Sequence, residues 1–197
     1  MEKKLPNVKF RVRVKSKVGV SYEWGEYTTN DYFGKGKSVL FSLPGAFTPT
    51  CTNFQLPGFD LKFSEFQKHG VDNIYCMSVN DSFVMNAWKS ELKIKNVEMI
   101  PDGNGDFTNG MGMLCNKRHL GFGHRSWRYA CVIEDGNIIA WFEEKGYDDS
   151  GLDNDPYGCD RIDSDPYEET KPENVLEWLE KNSSPAAWPF PTSPASD

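Results

Sequence analysis

The chain has 197 residues, of which 38% are hydrophobic, and this length and composition suit one domain with a core better than two large domains. It carries 22 basic and 29 acidic residues, a formal net charge of −7, with no basic block outside the N-terminal strand, so nucleic acid and anionic membranes are poor partners. No apolar run approaches the roughly 20 residues of a membrane span, and residues 1–6 lack the apolar core of a secretory signal, so we expect a cytoplasmic protein.

Three segments are predicted before the first motif. Residues 8–14 alternate apolar and basic side chains, which predicts a strand with one face on a core and one in water. Residues 22–36 are polar, aromatic and glycine-containing, which favours a loop. Residues 37–42 are rich in β-branched and aromatic side chains and predict a short buried strand.

The turn at residues 43–52, with the sequence LPGAFTPTCT, joins that strand to a helical pattern. Pro44 and Pro49 fix φ and make the turn stiff, and Cys51 is placed in the first turn of the helix. A thiol there faces unpaired backbone N–H groups and the positive end of the helix dipole, which favour the thiolate. The hydroxyl of Thr48 can cap the helix or bond the sulfur or an oxygen beside it. The pattern therefore predicts a nucleophilic cysteine.

Helical and strand patterns alternate after Cys51. The helix is predicted to be interrupted at residues 56–58, by Pro57 and Gly58, and to resume until about residue 70, giving a kinked helix. The next elements are a buried strand at 74–79, a helix at 82–92 capped by Ser82, a strand at 97–100, and two strands within 129–142 joined by a turn at Asp135 and Gly136. Parallel crossovers combined with a hairpin predict an α/β fold with a central mixed sheet flanked by helices.

The C-terminal part is predicted to hold one more helix. Residues 148–169 are acidic, with Gly, Pro and Ser interspersed, and favour a long surface loop. A helix is predicted to start at Pro172 and to dock on the sheet. Residues 183–197 are rich in Pro, Ser and Ala and favour a flexible tail, so we expect one domain at 1–182 followed by a tail.

Metal and disulfide frameworks find little support in the sequence. Five cysteines stand at irregular spacing without a CxxC pair, which argues against structural zinc and against a disulfide framework. The run from Asp102 to Asp106 begins like a calcium loop, but Phe107 and Met113 occupy the positions where such a loop needs Gly and Glu. We interpret this run as a turn.

The pattern Pro44-x-x-x-Thr48-x-x-Cys51 resembles the active-site motif of peroxiredoxins, and the longer sequence PGAFTPTCT resembles that of the Prx5 subfamily. Further similar segments follow in the same order, namely Ser78-Val79-Asn80-Asp81, Pro101-Asp102-Gly103-Asn104-Gly105 and Arg125-Ser126-Trp127-Arg128-Tyr129. The resemblance covers roughly residues 35–142. It implies a thioredoxin-like fold and the activity of an antioxidant thiol peroxidase.

The resemblance also implies roles for single residues. Cys51 would attack hydrogen peroxide or an alkyl hydroperoxide and become a sulfenic acid, while Thr48 and Arg128 would hold the peroxide and Pro44 would shape the turn. Arg125 is interpreted as a supporting or surface neighbour. No metal, haem or flavin cofactor is implied. The reductant would be glutathione, alone or with glutaredoxin, or thioredoxin, and the family implies a homodimer.

The sequence leaves open which thiol returns the Cys51 sulfenic acid to the thiol. Cys76, Cys115 and Cys131 fall in apolar or half-buried segments and are interpreted as structural. Cys159 lies in a polar loop and is the candidate resolving cysteine, but its surroundings do not match the wording of the family, and its acidic neighbours disfavour a thiolate. A different class of function, a peroxide sensor or interaction protein that uses oxidised Cys51 as a signal, is the alternative to a peroxidase.

Overall fold

The structure, a computed structural model, describes residues 3–16, 21–147 and 165–182. Its strands are β1 Lys9–Lys15, β2 Tyr22–Thr28, β3 Lys37–Ser42, β4 Asn73–Ser78, β5 Val97–Pro101, β6 Leu114–Asn116, β7 His124–Ser126, β8 Tyr129–Glu134 and β9 Asn137–Glu143. Its α-helices are α1 Thr29–Phe33, α2 Leu56–Leu61, α3 Phe63–Lys68, α4 Ser82–Glu91, α5 Asp106–Gly110 and α6 Pro172–Asn182. A π-helical segment, Cys51–Gln55, precedes α2, and a 3₁₀ turn, Arg118–Leu120, follows β6.

The central sheet has five strands in the order β5-β4-β3-β8-β9. β3, β4 and β5 are parallel, whereas β8 runs antiparallel to both β3 and β9, so the predicted mixed sheet is confirmed. The hairpin between β8 and β9 turns at Asp135 and Gly136, with φ of 46° and 81°. Two successive positive φ values are typical of the tight turn that Asp-Gly favours.

Each face of the sheet carries its own apolar core, because neighbouring residues of a strand point to opposite faces. Val39 and Phe41 of β3 belong to one core, whereas Leu40 between them belongs to the other. Side chains of α2, α3, α4 and α6 fill the first core, and β1, α1 and α5 contribute to the second. This arrangement confirms the predicted helices on both faces of the sheet, in a thioredoxin-like fold.

The predicted loop at residues 22–36 is wrong. β2 occupies its first half and pairs with β1 in a separate antiparallel hairpin, although most β2 side chains are exposed and show no apolar alternation. α1 occupies the second half. It begins with a capping box in which Thr28 and Asp31 bond each other's backbone N–H groups.

Two predicted helix boundaries also need correction. The chain stays helical through Pro57, since the missing N–H of proline is tolerated in the first turn of α2, and the break comes at Lys62 instead. The cap of α4 is Asp81, whose carboxylate accepts from the backbone N–H groups of Phe83 and Val84, and Ser82 is the first helical residue.

The C-terminal helix α6 starts at Pro172, as predicted, and buries Val175, Leu176 and Leu179 in the first core. Of the predicted acidic loop only residues 165–169 are described, and the predicted tail at 183–197 lies outside the described residues. Within the described ranges, none of the helices combines the length and apolarity that crossing a membrane requires.

Candidate active site

The sequence motifs meet at one edge of the central sheet. β3 and β4 are parallel and end there, and β8 begins there because it runs the other way. Ser42, the last residue of β3, pairs with Met77 on one side and with Tyr129 on the other. The turn after β3 and the residues just before β8 are therefore neighbours in space.

The loop between β3 and Cys51 is held from the end of β4. Pro44 and Gly45 are buried. The side-chain oxygen of Asn80 accepts from the backbone N–H of Ala46 at 3.0 Å and from the hydroxyl of Ser78 at 2.6 Å. Asn80 therefore fixes the backbone of the loop, a role that the motif resemblance alone did not assign.

Thr48 and Phe47 define the rim of the loop. The Thr48 hydroxyl donates to the carbonyl of Gly45 at 2.8 Å, so its oxygen keeps its lone pairs for another partner. Phe47 has a positive φ of 64°, which is uncommon for a residue with a side chain, and its ring lies 6.3 Å from that of Trp88. The loop is thus held by local hydrogen bonds, and the largely exposed Phe47 ring contacts Trp88 at its rim.

Cys51 lies in the first turn of a helix that begins at Pro49, which confirms the predicted position, and its side chain is fully buried. Its carbonyl accepts from the N–H of Leu56, five residues on, so the helix is wider here than an α-helix. Next to it, the hydroxyl of Thr52 accepts from the indole N–H of Trp88 at 3.2 Å. The thiol is consequently held in a dry, ordered environment.

Arg128 is the cation beside this thiol. Its Nη1 lies 3.4 Å from the Cys51 sulfur, and its side chain is only 1% exposed. Burial opposes the charge on Arg128, but the Cys51 sulfur and the Asp165 carboxylate outweigh it, so the pKa of the guanidinium is raised above its ordinary value. A permanently charged donor at this distance can stabilise negative charge on the sulfur.

Gln55 shares the same guanidinium nitrogen. It stands four residues after Cys51 on the same side of the helix, and its Oε1 accepts from Nη1 of Arg128. Its Nε2 is buried and has no hydrogen-bond partner in the part of the chain that the structure describes. This amide links the helix to Arg128, and the two N–H donors of its Nε2 are buried without an acceptor among the described residues.

The segment Asp165–Tyr167, here called the strap, covers the other side of Arg128. Asp165 pairs with Nη2, the carbonyl of Pro166 accepts from Nε at 2.9 Å, and the ring of Tyr167 lies 5.6 Å from the guanidinium carbon. Burial raises the pKa of Tyr167, which keeps its hydroxyl protonated. The strap therefore contributes directly to the site, whereas the sequence predicted only a surface loop there.

Glu144 anchors the chain that follows the strap. Its buried carboxylate accepts from the backbone N–H groups of residues 168, 169 and 170 at 2.9–3.0 Å, and from the Thr170 hydroxyl at 2.8 Å. Glu144 itself follows β9, and its N–H donates to the Arg128 carbonyl at 3.2 Å. Glu144 thus ties the chain just after the strap to Arg128, the residue that precedes β8.

Arg125, the neighbouring arginine, points elsewhere. It donates to the carbonyls of Phe122 and Val79 at 2.9 and 3.0 Å, and its guanidinium lies 5.7 Å from the Phe122 ring. A Cβ placed on Gly45 would lie 3.3 Å from its Nη1, so it touches the outside of the Cys51 loop. Arg125 therefore lies against this loop, and its supporting or surface role stays a prediction.

The remaining described cysteines are enclosed in the core. Cys76, Cys115 and Cys131 are fully buried, and desolvation by burial raises the pKa of Cys76 and of Cys131. Such thiols are poor nucleophiles. Cys159, the candidate resolving cysteine, lies outside the described residues.

The calcium-like run at residues 102–106 is a turn that leads into α5. The Asp102 carboxylate accepts from the N–H groups of Phe107 and Thr108 and from the Thr108 hydroxyl, so it caps that helix. Across residues 3–16, 21–147 and 165–182, no three His, Cys, Asp or Glu side chains converge as metal ligands would.

Comparison with known proteins gives a consistent result. The redoxin family model matches residues 2–155. A peroxiredoxin of Rhizobium etli is 51% identical over 183 residues, which cover 91% of this chain and 96% of that protein. The hybrid peroxiredoxin hyPrx5 of Haemophilus influenzae is 49% identical over 142 residues, 72% of this chain and 56% of that protein. The crystal structure of the Plasmodium falciparum antioxidant protein, a 1-Cys peroxiredoxin, superposes with a TM-score of 0.80 at 33% identity and covers 92% of this chain and 100% of that chain.

Proposed function

The chain belongs to the peroxiredoxins, the thiol peroxidases of the redoxin family, and from this premise we propose that Cys51 is the residue that reacts with peroxide. The observation that carries the proposal is the 3.4 Å contact between Nη1 of Arg128 and the Cys51 sulfur, made inside a buried pocket at a helix start. Of the four described cysteines, Cys51 is the one that this cation contacts. The other three lie on strands within the two cores.

The reaction begins with attack of the Cys51 thiolate on one peroxide oxygen. The sulfur–oxygen bond forms as the O–O bond breaks, the sulfur is oxidised to a sulfenic acid, and the departing oxygen takes a proton and leaves as water or alcohol. Negative charge moves from sulfur to the departing oxygen during this step. A fixed guanidinium beside both atoms stabilises that charge without having to reorient.

Thr48 and Pro44 act on the geometry of the peroxide. Because the Thr48 hydroxyl gives its own proton to Gly45, its oxygen is an acceptor that can hold the O–H of a hydroperoxide. The backbone N–H of Cys51 adds a donor to the oxygens in our proposal. Pro44, buried in the loop, keeps these groups in place by restricting φ. Together they orient the O–O bond in line with the sulfur.

We propose hydrogen peroxide and alkyl hydroperoxides as substrates and an external thiol as reductant. Glutathione, alone or with glutaredoxin, and thioredoxin are the candidates, because the chemistry needs a second thiol and the buried cysteines cannot supply it without unfolding the core. No metal, haem or flavin takes part in the proposed cycle. The resemblance to the family is our basis for proposing a homodimer.

We propose that the external thiol, and not Cys159, reacts with the Cys51 sulfenic acid. The acidic surroundings of Cys159 in the sequence disfavour its thiolate. Cys159→Ser should therefore keep full activity with the reductant that supports the wild type. Peptide mapping of the peroxide-treated protein under non-reducing conditions checks this, and a dominant Cys51–Cys159 cross-link would make the protein a two-cysteine enzyme instead.

Steady-state turnover tests the function as a whole. Peroxide consumption is followed with glutathione, with glutathione plus glutaredoxin, and with thioredoxin, using wild type, Cys51→Ser and Cys159→Ser. We expect many turnovers with at least one reductant and none with Cys51→Ser, because a serine hydroxyl is far less acidic and less nucleophilic. Consumption that stops after about one equivalent with every reductant would favour the peroxide sensor instead.

A further inference from the structure

The guanidinium of Arg128 is held at all three of its nitrogens. Nε donates to the Pro166 carbonyl, Nη2 to the Asp165 carboxylate, and Nη1 to the Cys51 sulfur and to Gln55. A guanidinium is planar, so fixing two of its nitrogens fixes where the third one points. Two of the three nitrogens are fixed by the strap.

We propose that Asp165 is a positioning residue for the peroxidase reaction, in which its carboxylate holds Nη2 of Arg128 and thereby aims Nη1 at the Cys51 sulfur and the bound peroxide. The proposal rests on the proposed role of Cys51. It assigns to Asp165 no contact with the substrate.

The strap is built firmly enough for this purpose. Just after it, Glu144 accepts the three successive N–H groups of residues 168–170, and the side-chain amide of Asn174 donates to the carbonyls of Glu168 and Glu169 at 2.7 and 3.0 Å. Thr170 is fully buried. The chain just after the strap is thus tied to Glu144, the residue that follows β9, on one side and to Asn174 of α6 on the other.

Asp165 has an electrostatic effect that opposes its geometric one. Its negative charge lies on the same guanidinium as the sulfur of Cys51, so it offsets part of the positive charge that favours the thiolate. Removing that charge should increase the thiolate fraction of Cys51 at a given pH. Removing the anchor should slow the reaction of each thiolate. Among the described residues, the other titratable or charged groups near Cys51 and Arg128 are Cys76 on β4, Tyr167 on the strap, and Glu144 and Glu173 around Tyr167.

A purely structural role of Asp165 would not change the thiolate fraction and the rate constant per thiolate in opposite directions. A residue that only stabilises the fold would lower the thiolate fraction and the rate together as the pocket loosens. A residue that acts only through its charge would raise the thiolate fraction and leave the reaction of each thiolate unchanged. Positioning predicts a larger thiolate fraction together with a smaller rate constant per thiolate.

The test compares Asp165→Ala and Asp165→Asn with the matched control Glu168→Gln. Glu168 carries the same charge next to the strap, but its side chain is 79% exposed and pairs only with Lys171 in the described structure. Two quantities are measured on the full chain. One is the ultraviolet titration of the Cys51 thiolate, taken as the difference from Cys51→Ser, and the other is the stopped-flow rate constant with hydrogen peroxide, divided by the thiolate fraction.

For Asp165→Ala we expect the thiolate titration to move to lower pH and the rate constant per thiolate to fall at least about tenfold. Asp165→Asn keeps an oxygen acceptor, so the titration should move in the same direction with a smaller loss of rate, and Glu168→Gln should change neither quantity. Urea unfolding of each variant shows whether it is folded, and if the alanine variant is not, the asparagine variant decides.

A rate constant per thiolate within about twofold of wild type in Asp165→Ala, or a parallel fall of both quantities in a folded variant, would overturn the proposal. Failure of the proposed function would look different. In that case Cys51 of the wild type would stay unoxidised after peroxide treatment. If only the proposal about Asp165 is wrong, Cys51 of the wild type is still oxidised by peroxide.

Discussion

Replacing Arg128 by lysine separates the effect of the positive charge from the effect of the planar guanidinium geometry. Lysine keeps the positive charge, but its ammonium is a single point on a flexible stem. The four acceptors around Arg128, which are the Cys51 sulfur and oxygens of Gln55, Asp165 and Pro166, are spread over the three nitrogens of the guanidinium. An ammonium placed to satisfy Asp165 cannot also occupy the position of Nη1.

The expected loss of rate in Arg128→Lys follows from the contact between Nη1 and the sulfur that is lost. A hydrogen bond that involves a charged group contributes about 1.5–3 kcal/mol. If this contact stabilises the transition state for peroxide attack, its loss corresponds to a rate about 10- to 150-fold lower. A buried acceptor left without a donor, such as Oε1 of Gln55, should also lower the free energy of unfolding by about 1–3 kcal/mol.

The assay is stopped-flow reaction of reduced protein with hydrogen peroxide at several pH values, with urea unfolding in parallel. Arg125→Lys is the matched control, because the hydrogen bonds of Arg125 go to backbone carbonyls and its guanidinium lies over the Phe122 ring. This substitution should change the rate by less than about threefold. If Arg128→Lys reacted with peroxide as fast as wild type, the positive charge alone would be sufficient for the rate, and the reasoning from guanidinium geometry would be refuted. If Arg125→Ala were damaging and Arg128→Ala harmless, the assignment of the catalytic arginine would be wrong by one neighbour.

Three further variants test the supports of the site. Thr48→Val removes the acceptor for the peroxide at nearly constant volume, and we expect stopped-flow rates with peroxide at least about tenfold lower, so an unchanged rate would remove Thr48 from the mechanism. Asn80→Ala frees the backbone of the Cys51 loop and should lower the same rate by about tenfold with a thiolate titration close to wild type; a wild-type rate would show that the loop holds itself. Glu144→Ala should lower the free energy of unfolding in urea by about 3 kcal/mol, counting about 1.5 kcal/mol for each of the two bonds to buried Thr170. Glu169→Ala, at a half-buried neighbour whose carboxylate pairs with the exposed Lys145, should cost less than about 1 kcal/mol. Equal losses for the two glutamates would contradict the anchoring role of Glu144.

The sequence predicts the parts of the fold and site that depend on local patterns. Buried strands such as β3 and β4 have apolar runs at their centres, and the β8–β9 turn has residues that its positive φ values need. The position of Cys51 at a helix start follows from the prolines around it. These features depend on residues close together in the chain, and so they can be inferred from it.

Features that depend on distant contacts were missed. β2 has mostly exposed side chains, so its pairing with β1 leaves no apolar alternation in the sequence. Asp165 lies 37 residues from Arg128 within an acidic run, where nothing local separates it from its neighbours. For Gln55 a local signal did exist, since residues four apart on a helix share a face and Cys51 was already identified.

The central claim is that Cys51 is the residue that peroxide oxidises. The most direct test is the intact mass and peptide map of the reduced protein after one equivalent of hydrogen peroxide, with and without glutathione. We predict the mass gain of one oxygen atom, located on the Cys51 peptide, and its replacement by a glutathione adduct or by the free thiol when glutathione is present. Oxidation located on another cysteine, with Cys51 left as a free thiol, would contradict the account.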